Sequence, residues 1–188
     1  MRLILYFVSH ILEQIIRPMA DFRSLIHTVP DFPKKGIQFK DITPMLKDPL
    51  AVQQCLNKLM PEPDQKIDFV VGIESRGFIL GPLLAQRLGC GFVPIRKKGK
   101  LPGPTISAGY ALEYGEAEIE IHRAALNPGD CVLLHDDVLA TGGTAAAAIN
   151  LIEALGGQVV QCSFIIELEA LGGRAKLLNQ SLRSACKY

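Results

Sequence analysis

Apolar positions along this chain recur with two periods, and the two periods alternate. IDFVVGI (67–73), GFVPI (91–95), CVLLH (131–135) and QVVQCSFIIEL (158–168) are short apolar runs bounded by turn residues. Runs of that length and flanking read as buried strands. Between them the spacing lengthens to that of a helix. Pro49 opens a helix to about Met60, with Val52, Leu56 and Leu59 on one face. FILGPLLAQRL (78–88) is a second helix. Ala145 to Leu155 is a third, turning Ile149, Ile152 and Leu155 to the sheet and stopped by Gly156–Gly157.

The remaining segments carry weaker patterns. Asp21 to His27 reads as a short helix and Glu169 to Leu178 as a last one. AEIEIH (117–122) alternates apolar and charged residues, as an exposed or edge strand does. VPDFPKKGIQFKDITP (29–44) is irregular, with Gln38 to Asp41 extended. Residues 96–115 form a long segment, basic at its start and punctuated by Gly and Pro, and NPGD (127–130) is a turn.

Strands alternating with helices predict an α/β fold, a central mainly parallel sheet flanked by helices on both faces. Ligands of such sheets bind beyond the carboxyl ends of the strands. That puts Glu74 to Gly77 and Asp136 to Thr144 on one rim. No internal repeat and no second-domain boundary interrupts the pattern, so residues 19–188 read as a single domain. The opening MRLILYFVSHILEQIIRPMA is too short and too interrupted by Ser9, His10 and Glu13 to span a bilayer. It has no convincing small-residue cleavage site. Residues 1–18 are expected to be an extension ahead of a domain starting near Met19, which N-terminal sequencing of the native protein would test.

Composition narrows the function classes. Of 188 residues, 48% are hydrophobic and 21% charged, with a formal net charge of +1. The chain therefore has enough apolar surface for a core, and lacks the basic excess of a general nucleic-acid or membrane-surface binder. Five cysteines stand at 55, 90, 131, 162 and 186, with no CxxC spacing. They read as reduced small hydrophobes in a cytoplasmic protein rather than as a zinc or disulfide framework.

Chemistry concentrates in CVLLHDDVLATGGTAAAAINLIEALGG (131–157), where two carboxylates precede a Thr/Gly loop that feeds a helix. The first amides of a helix lack intrahelical partners and carry partial positive charge. Ala140, Thr141, Gly142, Gly143 and Thr144 thus form a phosphate cradle. There is no GxxxxGK[ST], so this is not a nucleoside-triphosphate P-loop. Ionised Asp136 and Asp137 accept hydrogen bonds only, and vicinal sugar hydroxyls suit them. A ribose 5-phosphate satisfies both halves. A metal site made of His135, Asp136 and Asp137 is disfavoured, because consecutive strand residues point to opposite faces. His135 is expected to have a local partner.

VLLHDDVLATGGT resembles the phosphoribosyl pyrophosphate signature of the type I phosphoribosyltransferases. PDFPKKGIQFKDITPMLKDP, VVGIESRGFILGPLLAQRLG, VPIRKKGKLPGPT and YALEYGEAEIEIH are similar to segments of the adenine phosphoribosyltransferases within that family. The resemblance runs from about Phe22 to Arg174. It implies the type I fold with a small N-terminal hood and a mobile flap. The implied reaction transfers ribose 5-phosphate from phosphoribosyl pyrophosphate to N9 of adenine, giving AMP and pyrophosphate, with Mg2+ held mainly by substrate oxygens and water.

Residue roles follow from the same resemblance. Glu74, Ser75 and Arg76 would hold pyrophosphate, with a strained peptide bond at Glu74–Ser75 or Ser75–Arg76, and Arg96, Lys97 and Lys100 would add positive charge. Residues 96–115 match the flap, in which Glu113 would manage the purine-ring proton and Tyr114 would pack near the closed site. Gln38 and Lys40 would read adenine through the backbone and Phe39 would stack on it. The family often has Arg where Lys40 stands. The oxo-purine members use a Lys after the acidic signature, and none occurs between Asp137 and Leu168. A homodimer is implied. The alternatives are a transferase for xanthine or another purine, or a non-catalytic sensor of phosphoribosyl pyrophosphate, which usually carries an added nucleic-acid-binding module or basic face.

Overall fold

The computed structural model describes residues 21–111 and 116–188. Two compact units divide the chain after Gln54.

In the first unit a 3-10 turn, Phe22–Leu25, buries Phe22 completely. Asp21 caps it by accepting from the Arg23 amide at 3.2 Å. The helix expected over 21–27 ends there. β1 (His27–Pro30) follows, paired antiparallel with β2 (Gln38–Asp41) in the register His27↔Asp41 to Pro30↔Gln38. Thr28 and Val29 are β-branched, and Pro30 excludes the helical region for the residue before it, so the chain extends. The short helix α1 (Thr43–Leu46) buries Met45. The unit boundary falls within α2 (Pro49–Leu59), which starts where Asp48 Oδ1 accepts from the Leu50 and Ala51 amides at 2.8 and 3.1 Å. Ala51, Cys55, Leu56 and Leu59 are buried along it, and Val52 is half-buried.

The second unit holds a seven-stranded sheet in the order β5-β6-β4-β3-β7-β8-β9. β3 (Phe69–Ile73), β4 (Gly91–Lys97), β7 (Cys131–Leu139), β8 (Gln158–Glu167) and β9 (Leu182–Lys187) are parallel. β5 (Thr105–Ala111) and β6 (Glu116–His122) form an antiparallel hairpin added at the β4 edge. α3 (Gly77–Leu88) connects β3 to β4, and α4 (Gly143–Ala154) connects β7 to β8. These crossovers run in opposite directions from the β3–β7 centre, and right-handed connections then place their helices on opposite faces. Val71, Ile73, Val93, Ile95, Val132 and Leu134 form a core with Ala148, Leu151 and Ile152 of α4. Val70 and Leu133, one residue out of phase, are also fully buried, as are Leu80 and Leu84 of α3.

Two expectations change here. Residues 117–122 are an inner strand with Ile119 and Ile121 buried, because 105–111 pair outside them. The long Gly- and Pro-punctuated segment 96–115 therefore contributes an edge strand, Thr105–Ala111. The last helix resolves into two 3-10 turns, Glu169–Leu171 and Gly173–Leu177, divided at Gly172 with φ +64°. Beyond them SLRSACKY supplies β9, which no alternation announced.

Phe92 sits half-buried against Gly72 and Gly81. A Cβ at either glycine would stand 2.6 Å from its ring. Phe78 meets the same ring edge-on at 5.9 Å between centroids. Cys55, Cys162 and Cys186 are buried, Cys90 and Cys131 are partly exposed, and all five are free thiols.

Candidate active site

β7 does not stop at His135. It continues to Leu139, so Asp136 and Asp137 lie inside the strand rather than after it. The alternation of the strand then separates them: Asp136 is half-buried, while Asp137 is only 4% exposed. His135 is fully buried, and its Nδ1 lies 3.0 Å from the Ser163 carbonyl, the local partner expected of it. Burial pulls its pKa to about 4, so the ring is neutral and Nδ1 is the donor.

After Leu139 the chain turns through Ala140–Gly142 into α4. Gly142 takes φ +78°, a conformation L side chains resist, and the Ala146 amide donates to its carbonyl at 3.0 Å. Residues 139–145, with Asp136, Val138 and Phe164, line a small recess of about 60 Å³. The opening amides of α4 have no intrahelical acceptor, which favours an anion at this helix start.

The second wall comes from β3. The Glu74 amide donates to Ile95 O at 2.9 Å, the Glu74–Ser75 peptide is cis, and α3 begins at Gly77. This is one of the two positions expected for an unusual bond. A Cβ on Gly77 would stand 2.9 Å from His135 O and 3.2 Å from Asp136 Oδ1, so glycine lets the two walls meet. Arg76 Nε approaches Asp137 Oδ2 to 2.8 Å, a charge contact rather than an aligned hydrogen bond. Burial and the neighbouring Asp137 charge raise Asp136 well above the ordinary carboxylate range. Burial also raises Asp137, against the opposing pull of Arg76.

The walls enclose a cavity of about 400 Å³ lined by Glu74, Ser75, Arg76, Lys97, Tyr110, Asp136, Asp137, Val138, Ala140 and Thr144. Of the expected pyrophosphate residues, Arg96 and Lys100 do not line it. Arg96 forks onto Glu74 at 3.1 and 3.2 Å and donates to Lys100 O at 2.9 Å. Burial lifts the Glu74 carboxyl, but Arg96 and the Lys97 amide at 3.0 Å outweigh it and hold the group below its usual value. Tyr110 and Val138, which no motif marks, also line the cavity. The period-2 alternation of Ile106, Ala108 and Tyr110 with Ser107 and Gly109 was the available signal for Tyr110. Gln38, Phe39 and Lys40 lie on β2 in the first unit, where Phe39 meets Phe32 edge-on at 5.1 Å and Lys40 Nζ donates to Thr28 at 2.8 Å. Glu113 and Tyr114 fall outside the described residues.

The phosphoribosyl transferase domain profile matches residues 46–176, which include both walls of this cavity. The adenine phosphoribosyltransferase of Methylobacillus flagellatus is 54% identical over 171 residues, covering 89% of this chain and 97% of that one. The chain belongs to the phosphoribosyltransferase family, among the adenine phosphoribosyltransferases. Solved adenine phosphoribosyltransferases share the fold. That of Rhodothermus marinus superposes with a TM-score of 0.85 at 53% identity, over 89% of this chain and 96% of the other. That of Giardia lamblia, complexed with 9-deazaadenine, gives 0.85 at 45% identity, over 90% and 97%. In this phosphoribosyltransferase chain, no helix among the described residues is long and apolar enough to cross a membrane.

Proposed function

We propose that this chain transfers the 5-phosphoribosyl group from phosphoribosyl pyrophosphate to N9 of adenine, releasing pyrophosphate and forming AMP. One observation carries the reading: Asp136 and Asp137 of β7, Ala140 and Thr144 at the turn into α4, and Glu74–Arg76 line a single cavity, and the rest of the Thr/Gly turn lines the recess that shares Asp136, Ala140 and Thr144 with it. A ligand bearing a phosphate, a vicinal diol and a diphosphate matches those three parts in order. The names of the relatives agree with it.

Each part has a job in the transfer. Ala140–Thr144 and the first amides of α4 hold the 5-phosphate. Asp136 and Asp137 accept from the 2- and 3-hydroxyls, fixing the ring against the leaving diphosphate. Ser75, Arg76 and Lys97 face the diphosphate. Arg76 neutralises charge as the glycosidic bond breaks, exchanging its contact with Asp137 for phosphate oxygens. Glu74 and Arg96 act one step back, each holding the other. Glu113 takes the role of managing the purine proton, with Tyr114 beside it. Gln38, Phe39 and Lys40 take adenine, the first and last through backbone groups and Phe39 by stacking, worth about 1–3 kcal/mol per base in nucleic-acid complexes. A buried backbone acceptor for the 6-amino group would reject oxo-purines.

Asp136 and Asp137 are hard oxygen donors on the cavity wall and fit Mg2+ bound through water and substrate oxygens. When bound, the ion supplies charge neutralisation of the diphosphate. Residues 19–188 work as one catalytic domain, residues 1–18 are an extension, and the protein acts as a cytoplasmic homodimer.

The test is product formation from phosphoribosyl pyrophosphate and Mg2+ with adenine, hypoxanthine, guanine or xanthine offered separately. AMP from adenine alone, abolished by a chelator, is the expected result. Preference for another base overturns the assignment of Gln38–Lys40. No product from any base overturns the enzyme reading in favour of a sensor.

A further inference from the structure

Behind the phosphate turn lies a second electrostatic cluster, a buried acid held by a half-exposed cation. Glu167 ends β8, where its register partner on β7 is Leu139, the residue just before Ala140. Glu167 is 3% exposed, and its carboxylate takes three donors: Arg174 Nε at 2.7 Å, Arg174 Nη2 at 2.6 Å and Ser184 Oγ of β9 at 2.7 Å. The two-pronged Arg contact fixes direction as well as distance. Arg174 stands next to Gly173, and Gly173 is pressed onto the phosphate turn. A Cβ on Gly173 would collide with Ala140 O and stand 2.9 Å from the Gly142 nitrogen. A Cβ on Gly142 would reciprocally stand 2.6 Å from Gly173 O. Backbone lies against backbone here, with no side chain between.

We propose that Glu167 and Arg174 are positioning residues for the phosphate turn, clamping the Gly172–Gly173 bend against Ala140 and Gly142 so that the amides leading into α4 point into the recess. Neither residue lines the cavity, so neither touches substrate. The cation is seven residues beyond the acid, and the Gly172–Gly173 break between them folds it back. Without the fork the bend has no fixed distance from the turn, and the recess loses its shape. An amide displaced by about 1 Å, or turned well away from the phosphate oxygen, loses most of an aligned hydrogen bond to it. This inference rests on the assignment of the turn to the 5-phosphate.

The test compares ribose 5-phosphate and pyrophosphate binding by calorimetry in the full chain and in Arg174→Ala, Arg174→Lys and Gly173→Ala. Because removing Arg174 leaves a buried carboxylate, Gly173→Ala serves as the variant that keeps the pair intact but pushes on the turn. Expected is a rise of about tenfold or more in the ribose 5-phosphate Kd for Arg174→Ala and Gly173→Ala. Pyrophosphate, held by the other wall, should change by less than about twofold. Arg174→Lys should recover part of the loss, since it restores charge without the fork. Steady-state rates should show KM for phosphoribosyl pyrophosphate rising while KM for adenine holds. Equal losses for both ligands, or no loss in either variant, would overturn the positioning role. A wild-type chain that binds pyrophosphate but not ribose 5-phosphate would overturn the phosphate assignment itself, and the proposal with it.

Discussion

Replacing Arg76 with alanine should cost stability in a way that depends on pH. Arg76 Nε lies 2.8 Å from an Asp137 oxygen whose side chain is 6% exposed. That geometry puts the charge centres about 4 Å apart, worth about 4 kcal/mol at an effective dielectric near 20. More than a third of the Arg76 side chain meets solvent, which screens the pair, so a loss of about 1–3 kcal/mol is expected near neutral pH. Asp137 already titrates above its ordinary value, and without Arg76 it rises further. A carboxyl whose pKa is raised by folding binds more protons in the native than in the unfolded state between the two pKa values. Stability then falls as pH rises through that window, and the deficit is complete above the folded pKa. The Arg76→Ala penalty should therefore be largest at pH 7–8 and shrink as the buffer is taken toward pH 4. Urea unfolding at four or five pH values, with the m-value checked for constancy, measures it. Adding Asp137→Asn should recover most of the loss at neutral pH, because no charge is left stranded. A penalty of equal size at pH 8 and pH 4.5, or no recovery in the double variant, would refute the electrostatic account.

Asp136→Asn with Asp137→Asn should abolish AMP formation while the far-ultraviolet spectrum is kept, and near-wild-type turnover would remove the diol role. Glu113→Ala should lower kcat by about 10²-fold or more and change phosphoribosyl pyrophosphate binding little, as loss of a proton-transfer group does; equal losses in both would make it a structural acid. Gly81→Ala should destabilise by about 1–3 kcal/mol, since the new methyl falls 2.6 Å from the Phe92 ring. Phe92→Leu in that background should return part of the lost unfolding midpoint, and a neutral Gly81→Ala would disprove the slot.

The sheet was legible where burial on both faces leaves an unbroken apolar run, as in residues 69–73 and 131–135. It was illegible where function interrupts that run. HDD ends the apolar pattern at Leu134, yet β7 carries on to Leu139, because the neutral His135 has a partner in Ser163 and the acids face a cavity. Chemistry thus hid the end of its own strand. β9 was missed because LRSACK has a buried core of only Ala185 and Cys186, and its place is fixed by pairing with β8. The rim itself could be read in advance, since a Thr/Gly turn after a strand constrains the backbone locally. What could not be read was the clamp behind it. Glu167 and Arg174 look like ordinary surface charges until Gly172 bends one onto the other.

The five free thiols divide by depth, and that division makes a spectroscopic tool of the native chain. Burial pushes Cys55 and Cys162 to about 12, and Cys186 is enclosed as well, so these three stay out of reach of an alkylating dye at neutral pH. Cys131 opens β7 and Cys90 immediately precedes β4, so the two partly exposed thiols stand where parallel strands begin. The cavity rim is where those strands end. A maleimide fluorophore on either thiol would therefore sit at the opposite pole of the sheet. It could report binding or unfolding without a cysteine having to be introduced and without a bulky label crossing the path of the ligand.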